Sequence, residues 1–389
     1  MKEVLEQYNP WWFDTYDFSA IQRPKYLDKI IEDIDRKNVI IITGIRRVGK
    51  TTLIKQTITE LLKKVPAKKV FYASLDNFEF ENHTIKDIIE TYREMKKIPI
   101  DDKAYLFLDE VTYKKNFQQE IKNLYDMTNL KIIISSSSAS VLKDKKAFLT
   151  GRTKTIEVMP LDFQEFLQFR KIKVKKYDYA LMKTYFDDYL KNGGMPEYVL
   201  EPDIDYLKEL VESIVYKDII AYHNIKDKTI VFNLLKLLSE RVGKRLTYNK
   251  LANILKISVD SVRRYLSYFE DTYLVYMIGK HGSLNERMAA PRKVYFSDTG
   301  IRNVLAGFKD TGSLFENIVF LRIKDKNPMY YMKDSVELDF VFGRNIIECK
   351  YTDDKNKKQD DLLDELSSMY NVKIIGFKEF VMDKYHLAR

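Results

Sequence analysis

The most informative motif in the sequence is a glycine-rich loop of the kind that binds phosphate groups. Residues 44–51 read Gly-Ile-Arg-Arg-Val-Gly-Lys-Thr and match G-x-x-x-x-G-K-[ST] at every fixed position. In such a loop, backbone N–H groups face the anion, the lysine reaches the β- and γ-phosphates, and the hydroxyl ligates Mg²⁺. The sequence therefore predicts a nucleotide site with these contact residues: Gly44, Ile45, Arg46, Arg47, Val48, Gly49, Lys50, Thr51 and Thr52.

A pair of carboxylates predicts the second half of this site. Asp109 and Glu110 directly follow Tyr105–Leu108, a run that is typical of a buried strand. We expect Asp109 to hold the magnesium shell together with Thr51, and Glu110 to polarise the attacking water. The reaction that these residues predict is phosphoryl transfer to water.

Two further candidates could act on the γ-phosphate. Four serines, Ser135 to Ser138, follow the predicted strand Lys131–Ile134. We expect a hydroxyl there, first of all that of Ser135, beside the γ-phosphate, although a helix cap is the alternative. Arg152 is the arginine expected to neutralise transition-state charge, in its own chain or in a neighbouring copy. The alternative for Arg152 is a solvated loop arginine.

A second group of chemistry-bearing residues lies near the carboxyl terminus. Asp339 and the triplet Glu348-Cys349-Lys350 lie on two predicted strands separated by a short turn. Because side chains alternate along a strand, we expect Glu337, Asp339 and Val341 on one face. A hairpin would bring the carboxylates of Asp339 and Glu348 within reach of Lys350.

This acid-acid-lysine arrangement is that of restriction-type nucleases. Asp339 and Glu348 would hold Mg²⁺, Lys350 would orient or activate water, and Glu316 could add a third carboxylate. Two alternatives stay open. The module could serve only for nucleic-acid binding or docking, or Asp339 and Lys350 could form an exposed cross-strand ion pair.

Short β-branched runs that alternate with helical stretches must position the nucleotide site. Such runs, each followed by a helix, are typical of a parallel sheet covered on both faces. The expected strands of this α/β sheet are Val39–Thr43, Val70–Ser74, Tyr105–Leu108 and Lys131–Ile134. From about Pro160 onward the pattern is helical.

Residues 230–300 read as three helices followed by two short strands, which predicts a winged helix. This stretch holds twelve Lys and Arg against six Asp and Glu, a surplus of six. Arg263 and Arg264 lie on the helix expected to enter a DNA groove, and Lys280 and His281 begin the wing. DNA is therefore an expected partner. The alternative is a module that packs against the rest of the chain or against a second subunit.

Composition limits the class of protein. The 389 residues carry a net charge of +9, with 45% hydrophobic and 32% charged residues, a globular balance. No apolar run approaches the roughly 18 residues of a membrane span. The single cysteine, Cys349, excludes a disulfide scaffold and a cysteine-based zinc finger. We expect a cytoplasmic protein without a membrane segment.

The ordered set of motifs resembles the prokaryotic AAA-type ATPases, common in archaea, whose C-terminal domain is restriction-endonuclease-like and of unassigned function. The resemblance spans nearly the whole chain and rests on the phosphate loop and these segments: Asn9–Trp12, Arg23–Tyr26, Leu108–Glu110, Gly151–Arg152, Pro160–Phe166, Gly193–Glu197, Val294–Gly300, Phe315–Asn317, Glu337–Phe340 and Ile347–Lys350. It implies ATP binding and hydrolysis. One departure is Ser135-Ser136-Ser137, where the family usually has Thr-Gly-Ser.

The resulting hypothesis is a Mg²⁺-dependent ATPase that acts on nucleic acid, possible both as a monomer and as a homo-oligomer. The rival hypothesis is a nucleotide-controlled switch that binds a protein partner and carries an inactive nuclease-like domain. The expected domains are a P-loop ATPase core (1–159), a helical lid (160–229), a winged helix (230–305) and a restriction-endonuclease-like α/β domain (306–389).

Overall fold

Five strands of the amino-terminal unit form one parallel sheet with the order β2-β3-β4-β1-β5. The computed structural model describes residues 1–139, 151–175, 177–352 and 356–382. They divide into two compact units, Met1–Met159 and Pro160–Arg389. The sheet strands are β1 Val39–Thr43, β2 Val70–Ser74, β3 Tyr105–Asp109, β4 Lys131–Ser136 and β5 Thr153–Glu157.

The central strands are buried on both faces because helices cover the sheet on each side. Every residue of β1 and β3 is buried, in agreement with their continuous apolar runs. The helices of this unit are α1 Lys2–Tyr8, α2 Pro24–Asp33, α3 Lys50–Leu62, α4 Ile85–Lys96 and α5 Phe117–Met127. The parallel register brings the carboxyl ends of β1, β3 and β4 to one edge of the sheet.

Strand β5 was not expected from the sequence. It pairs with β1 at the edge of the sheet, and Lys154 and Thr155 are exposed. An edge strand with polar residues lacks the apolar run by which a buried strand is identified.

The second unit begins with a group of helices. They are α6 Phe163–Phe169, α7 Tyr179–Asn192, α8 Pro196–Leu200 and α9 Ile204–Ser213, which continues into a π-helix over Ile214–Ala221. The predicted segments 160–229, 230–305 and 306–389 lie together in this unit.

Five helices and a three-stranded antiparallel sheet, with the order β6-β8-β7, follow in the described residues. The elements are α10 Lys228–Ser239, β6 Arg245–Leu246, α11 Tyr248–Leu255, α12 Val259–Asp271, β7 Val275–Ile278, α13 Leu284–Ala289, β8 Arg292–Phe296 and α14 Thr299–Ala306. The two predicted strands are present as β7 and β8. The short strand β6 and the helix α13 between β7 and β8 were not predicted.

A four-stranded mixed sheet with the order β12-β11-β10-β9 forms the last part of the unit. Its elements are α15 Thr311–Ile323, β9 Met329–Lys333, β10 Val336–Phe342, β11 Asn345–Cys349, α16 Lys357–Leu366, β12 Asn371–Ile375 and α17 Phe377–Val381. The order of these elements is α-β-β-β-α-β-α, which agrees with the α/β domain expected for residues 306–389.

Asp298 joins three of the motifs on which the resemblance rests. Its carboxylate accepts the backbone N–H of Gly194 at 2.6 Å and that of Ile301 at 2.9 Å, which caps α14. The carbonyl of Gly194 accepts the N–H of Leu161 at 2.7 Å, and a Cβ at Gly194 would overlap the Leu161 carbonyl. These motifs therefore hold the second unit together.

Candidate functional site

The phosphate loop leaves β1 and turns into α3, as the motif predicts. Gly44 has a φ of +142°, and a Cβ there would overlap the carbonyl oxygen of Val158. Gly49 has a φ of +97° at the N-cap of α3, another conformation that favours glycine. The loop thus needs glycine at both positions, and it presents the start of α3 to an anion.

Lys50 is held at the start of α3 by oxygen atoms of the loop. Its ammonium group donates to the carbonyls of Gly44 at 3.0 Å and Ile45 at 3.2 Å, and to the Ser137 hydroxyl at 2.9 Å. The Glu110 carboxylate lies 3.9 Å away. Phosphate oxygens can replace neutral oxygen acceptors at an ammonium group with a gain in charge pairing.

Asp109 ends β3 directly beside the loop, as predicted. Its carboxylate accepts the hydroxyl of Thr51 at 2.6 Å and that of Tyr72 at 3.0 Å, and it also accepts the hydroxyl of Ser135. Burial and the Asp109 charge raise the pKa of Tyr72 well above its ordinary value, so Tyr72 stays a neutral donor.

The Thr51 hydroxyl and the Asp109 carboxylate fit a magnesium ion. They are hard oxygen ligands, they already touch each other, and they lie at the N-terminus of α3, where a nucleotide's phosphates can bind. The sequence prediction paired the same two residues.

Glu110 lies between the serines that follow β4. Its backbone is left-handed, with a φ of +52°, and its N–H donates to the Ser135 hydroxyl at 3.0 Å. Its carboxylate accepts the Ser137 hydroxyl at 2.7 Å and the Ser137 N–H at 3.3 Å. Ser137 therefore connects the carboxylate of Glu110 with the ammonium group of Lys50.

Ser135 was the serine predicted to lie beside the γ-phosphate, but its contacts differ from those of Ser137. Ser135 is buried and binds Asp109 and the Glu110 backbone, whereas Ser137 is half-buried and binds Lys50. The two share one side of the strand end because their spacing is two residues. Alternation therefore could have indicated Ser137 as well as Ser135.

Two other residues of the site were not predicted. Tyr72 lies on β2, which pairs with β3, so knowledge of the strand order would have indicated it. Arg23 is buried and donates to the carbonyls of Val48 at 3.3 Å and Met159 at 2.7 Å. It fixes the backbone of the phosphate loop, and its place among the resembling segments was the available signal.

Arg152 does not lie at the nucleotide site of its own chain. Its carbonyl accepts the N–H of Val39, at the amino end of β1, whereas the loop leaves the carboxyl end. The five residues of a strand separate the amino ends of the strands from their carboxyl ends by about 16 Å. The guanidinium group forms a half-exposed ion pair with Asp126 at 2.6 Å. In this structure the guanidinium group is therefore far from the phosphate loop of its own chain, and an action within the chain or on a neighbouring copy stays a prediction.

The basic surplus of residues 230–300 is partly used inside the fold. Lys293 is buried, Lys244 pairs with Asp310 at 2.5 Å, and Lys280 pairs with Glu286 at 3.3 Å. The expected wing is also tied down, since the N–H of His281 donates to the carbonyl of Tyr330 at 2.7 Å. The exposed basic side chains of α11, α12 and the turn between them are Lys250, Lys256, Arg263 and Arg264.

The carboxylates of the C-terminal module converge, but a lysine lies among them. Lys293 on β8 is 1% exposed, and its ammonium group contacts Glu337 at 2.7 Å, Glu316 at 2.9 Å and Asp339 at 3.4 Å. Within the described residues, no group of three or more His, Cys, Asp and Glu side chains is arranged to hold a metal ion. The predicted magnesium site at Asp339 and Glu348 stays a prediction, and in the structure the ammonium group of Lys293 lies beside Asp339.

Lys350, the predicted water-activating group, is held by two side chains of the C-terminal module. Its ammonium group pairs with Glu348 at 3.2 Å and donates to Gln359 at 2.6 Å. The alternative, an exposed ion pair of Asp339 with Lys350, is absent from the ion pairs of the described residues, and Asp339 accepts the N–H of Cys349 at 2.9 Å.

Burial dominates the protonation of this cluster. Burial and the nearby Asp339 raise the pKa of Glu348 to about 8, and the same two causes raise that of Glu316 to about 7. Burial alone would lower the pKa of Lys293, but Glu316 and the other carboxylates raise it well above its ordinary value. Lys293 is therefore charged.

In the part of the chain that the structure describes, we find no helix with the length and apolar character that crossing a membrane requires.

Models of known protein families match two stretches of the chain. The model of the AAA domain matches residues 36–167, which include the phosphate loop, the acidic pair and the serines. Residues 183–312 match a domain of unknown function.

Relatives cover almost the entire chain. An uncharacterised protein of Methanocaldococcus jannaschii, MJ1544, is 30% identical over 96% of this chain and 92% of its own length. A second one from that organism, MJ1637, is 29% identical over 85% of this chain and 74% of its own. Among solved structures, a signal transduction ATPase with numerous domains and a tetratricopeptide repeat sensor, from Pyrococcus horikoshii, is 15% identical with a TM-score of 0.30. The match covers 80% of this chain and 46% of that one. From the AAA domain and the MJ1544 match, the chain is an AAA-type ATPase and belongs to the family that includes MJ1544.

Proposed function

We propose that this ATPase hydrolyses ATP with Mg²⁺ as cofactor and couples hydrolysis to the binding or processing of DNA. The observation that carries the first part is the convergence of four side chains at one sheet edge. Lys50, Thr51, Asp109 and Glu110 lie within a single hydrogen-bonded network there.

Each residue of the network has one role in this proposal. Lys50 and the loop N–H groups bind the phosphates, while Thr51 and Asp109 would hold magnesium, which neutralises phosphate charge when bound. Glu110 orients the attacking water and accepts its proton. Ser137 keeps the Glu110 carboxylate and the Lys50 ammonium group at a fixed separation.

Two variants test this assignment. We expect Lys50→Ala to abolish ATP binding, because the phosphates lose a buried cation. We expect Glu110→Gln to bind ATP and not hydrolyse it, because an amide keeps the shape and loses the basicity. Lys63→Ala, at the exposed carboxyl end of α3, is the matched control for loss of a lysine. Equal turnover of Glu110→Gln and wild type would remove Glu110 from this role.

The DNA part of the proposal rests on the exposed basic side chains of the winged-helix region. Arg263 and Arg264 lie on α12, which a serine cap at Ser258 begins, and both are exposed. Lys250 and Lys256 add to the same helix pair. Exposed cations of this kind bind DNA phosphates with an affinity that falls as salt rises.

A mobility-shift titration with random duplex DNA at several salt concentrations tests this. We expect Arg263→Ala plus Arg264→Ala to weaken binding to unrelated sequences. The dependence of log K on log salt should flatten by about one to two phosphate contacts. Lys208→Ala plus Lys217→Ala removes the same charge from the preceding helices and is the control. Unchanged affinity and slope in the arginine variant would contradict the DNA proposal.

The second candidate function is a nucleotide-controlled switch with a protein partner and a C-terminal module that is inactive as a nuclease. The buried Lys293 among the carboxylates favours the inactive module. The same titration separates the two candidates, since the switch predicts no salt-sensitive DNA binding by wild type at physiological salt.

A further inference from the structure

Asp339 and Glu348, the two carboxylates predicted to hold a metal ion on the strands of the C-terminal module, do not form an open site. Each of their oxygen atoms has a donor from the chain. One oxygen of Asp339 faces Lys293, and the other accepts the Cys349 N–H at 2.9 Å. One oxygen of Glu348 pairs with Lys350 at 3.2 Å, and the other accepts the Asp339 N–H at 3.2 Å. A metal ion would have to displace these donors.

The carboxylate of Glu316, on helix α15, also has donors from the chain. Glu316 accepts the ammonium group of Lys293 at 2.9 Å and the hydroxyl of Tyr295 at 2.6 Å. Both donors come from β8, which belongs to the winged-helix region and not to the C-terminal module. Tyr295 is fully buried, and its ring stacks on Phe320 of α15, so the strand is firmly packed against this helix.

The charges of the cluster nearly cancel. Its acidic members are Glu316, Glu337, Asp339 and Glu348, and its basic members are Arg245, Lys293 and Lys350. The net charge of these seven side chains is −1 when all of them are ionised. A divalent ion added to this set would leave an excess of positive charge in a buried place, which is unfavourable at low dielectric.

We propose that the ammonium group of Lys293 takes the place of a divalent cation in this cluster, so that the C-terminal module binds no metal ion and performs no metal-dependent cleavage. The cluster instead fastens strand β8 of the winged-helix region to α15 and β10. This proposal concerns a site separate from the ATPase site and does not depend on the function proposed there.

The test measures Mn²⁺ binding to the nucleotide-free full chain by electron paramagnetic resonance. We expect wild type and Asp339→Asn to bind Mn²⁺ equally, since Asp339 contributes no metal site. We expect Lys293→Met to gain about one Mn²⁺ per chain, and Lys293→Met plus Asp339→Asn to lose that ion again. Lys309→Met, which removes an exposed lysine paired with Glu240, is the matched control and should gain nothing.

The proposal is overturned by Mn²⁺ uptake in wild type that Asp339→Asn removes, or by a folded Lys293→Met that gains no ion. If Lys293→Met does not fold, the comparison of wild type with Asp339→Asn decides alone. Lys293→Arg, which keeps the charge, should behave as wild type does, and a metal ion gained by this variant would also contradict the proposal.

Discussion

Ser137→Ala tests the connection between Lys50 and Glu110, the two side chains to which we assign phosphate binding and water activation. The change removes the hydroxyl that accepts from Lys50 at 2.9 Å and donates to Glu110 at 2.7 Å. The backbone N–H of residue 137 still donates to Glu110, and Lys50 keeps its contacts with the carbonyls of Gly44 and Ile45. The expected defect therefore lies in the position of Glu110 and not in the loop.

The magnitude follows from the kind of bond that is lost. A hydrogen bond to a charged group contributes about 1.5–3 kcal/mol. The two bonds share one hydroxyl, so their losses do not add. Ser137 is half-buried, and water can take over part of the role, which favours the lower value. We expect kcat to fall roughly 10- to 30-fold, at about 1.4 kcal/mol per factor of ten, with a less than about threefold change in ATP affinity.

Single-turnover ATP hydrolysis and calorimetric ATP titration measure the two quantities separately. Ser137→Thr keeps the hydroxyl and should restore most of the rate. Thr59→Ala, near the carboxyl end of α3, removes a hydroxyl that donates to the carbonyl of Lys55; it is the control and should hydrolyse ATP as wild type does. A normal rate in Ser137→Ala, or a loss confined to ATP affinity, would refute the reasoning.

Three further predictions concern other parts of the chain. Because Glu348 has a pKa of about 8 when folded and 4.5 ordinarily, the folded state binds the extra proton between these values. The unfolding free energy of wild type should therefore fall as the pH rises from 5 to 8.5. The fall should be smaller in Glu348→Gln, and the difference between the two falls should be roughly 1–2 kcal/mol in urea titrations at these two pH values. Parallel pH profiles of the two proteins would contradict this. Gly44→Ala should destabilise the chain by about 1–3 kcal/mol through its backbone conformation, and should weaken ATP binding in the same calorimetric titration. Arg152→Ala should leave single-turnover hydrolysis unchanged at concentrations where the chain is monomeric, and a slower monomer would show an action within the chain.

The ATPase site was predictable because its determinants are local in sequence. Each half consists of an apolar run followed directly by chemical groups, and parallel strands bring their carboxyl ends to one edge. The placement of Lys50, Thr51, Asp109 and Glu110 follows from that alone. The place of Arg152 was not predictable because β5 was not expected. The residue directly precedes that strand and so lies at the opposite end of the parallel strands from the phosphate loop.

The C-terminal cluster was not predictable to the same degree, because its decisive contact is between distant segments. Lys293 contacts Asp339, which lies 46 residues further along the chain. In the sequence, Lys293 counted only toward the basic surplus from which DNA binding was expected. Strict alternation also failed. The register of β10 shifts between Leu338 and Val341, so Val341 packs with Leu338 and not beside Asp339.

The chain thus contains two lysine–carboxylate sites whose different surroundings give them different chemistry. Lys50 contacts carbonyl and hydroxyl oxygens, with the carboxylate of Glu110 at 3.9 Å, and the loop that holds it presents a helix N-terminus at which a phosphate can bind. Lys293 already has three carboxylates within 3.4 Å, and an incoming anion or cation could only replace a pairing that is complete. Since both lysines are buried, burial alone does not distinguish a reactive site from a structural one. The charge of the groups that already surround each lysine does, and on that ground we propose a reactive role for Lys50 and a structural one for Lys293.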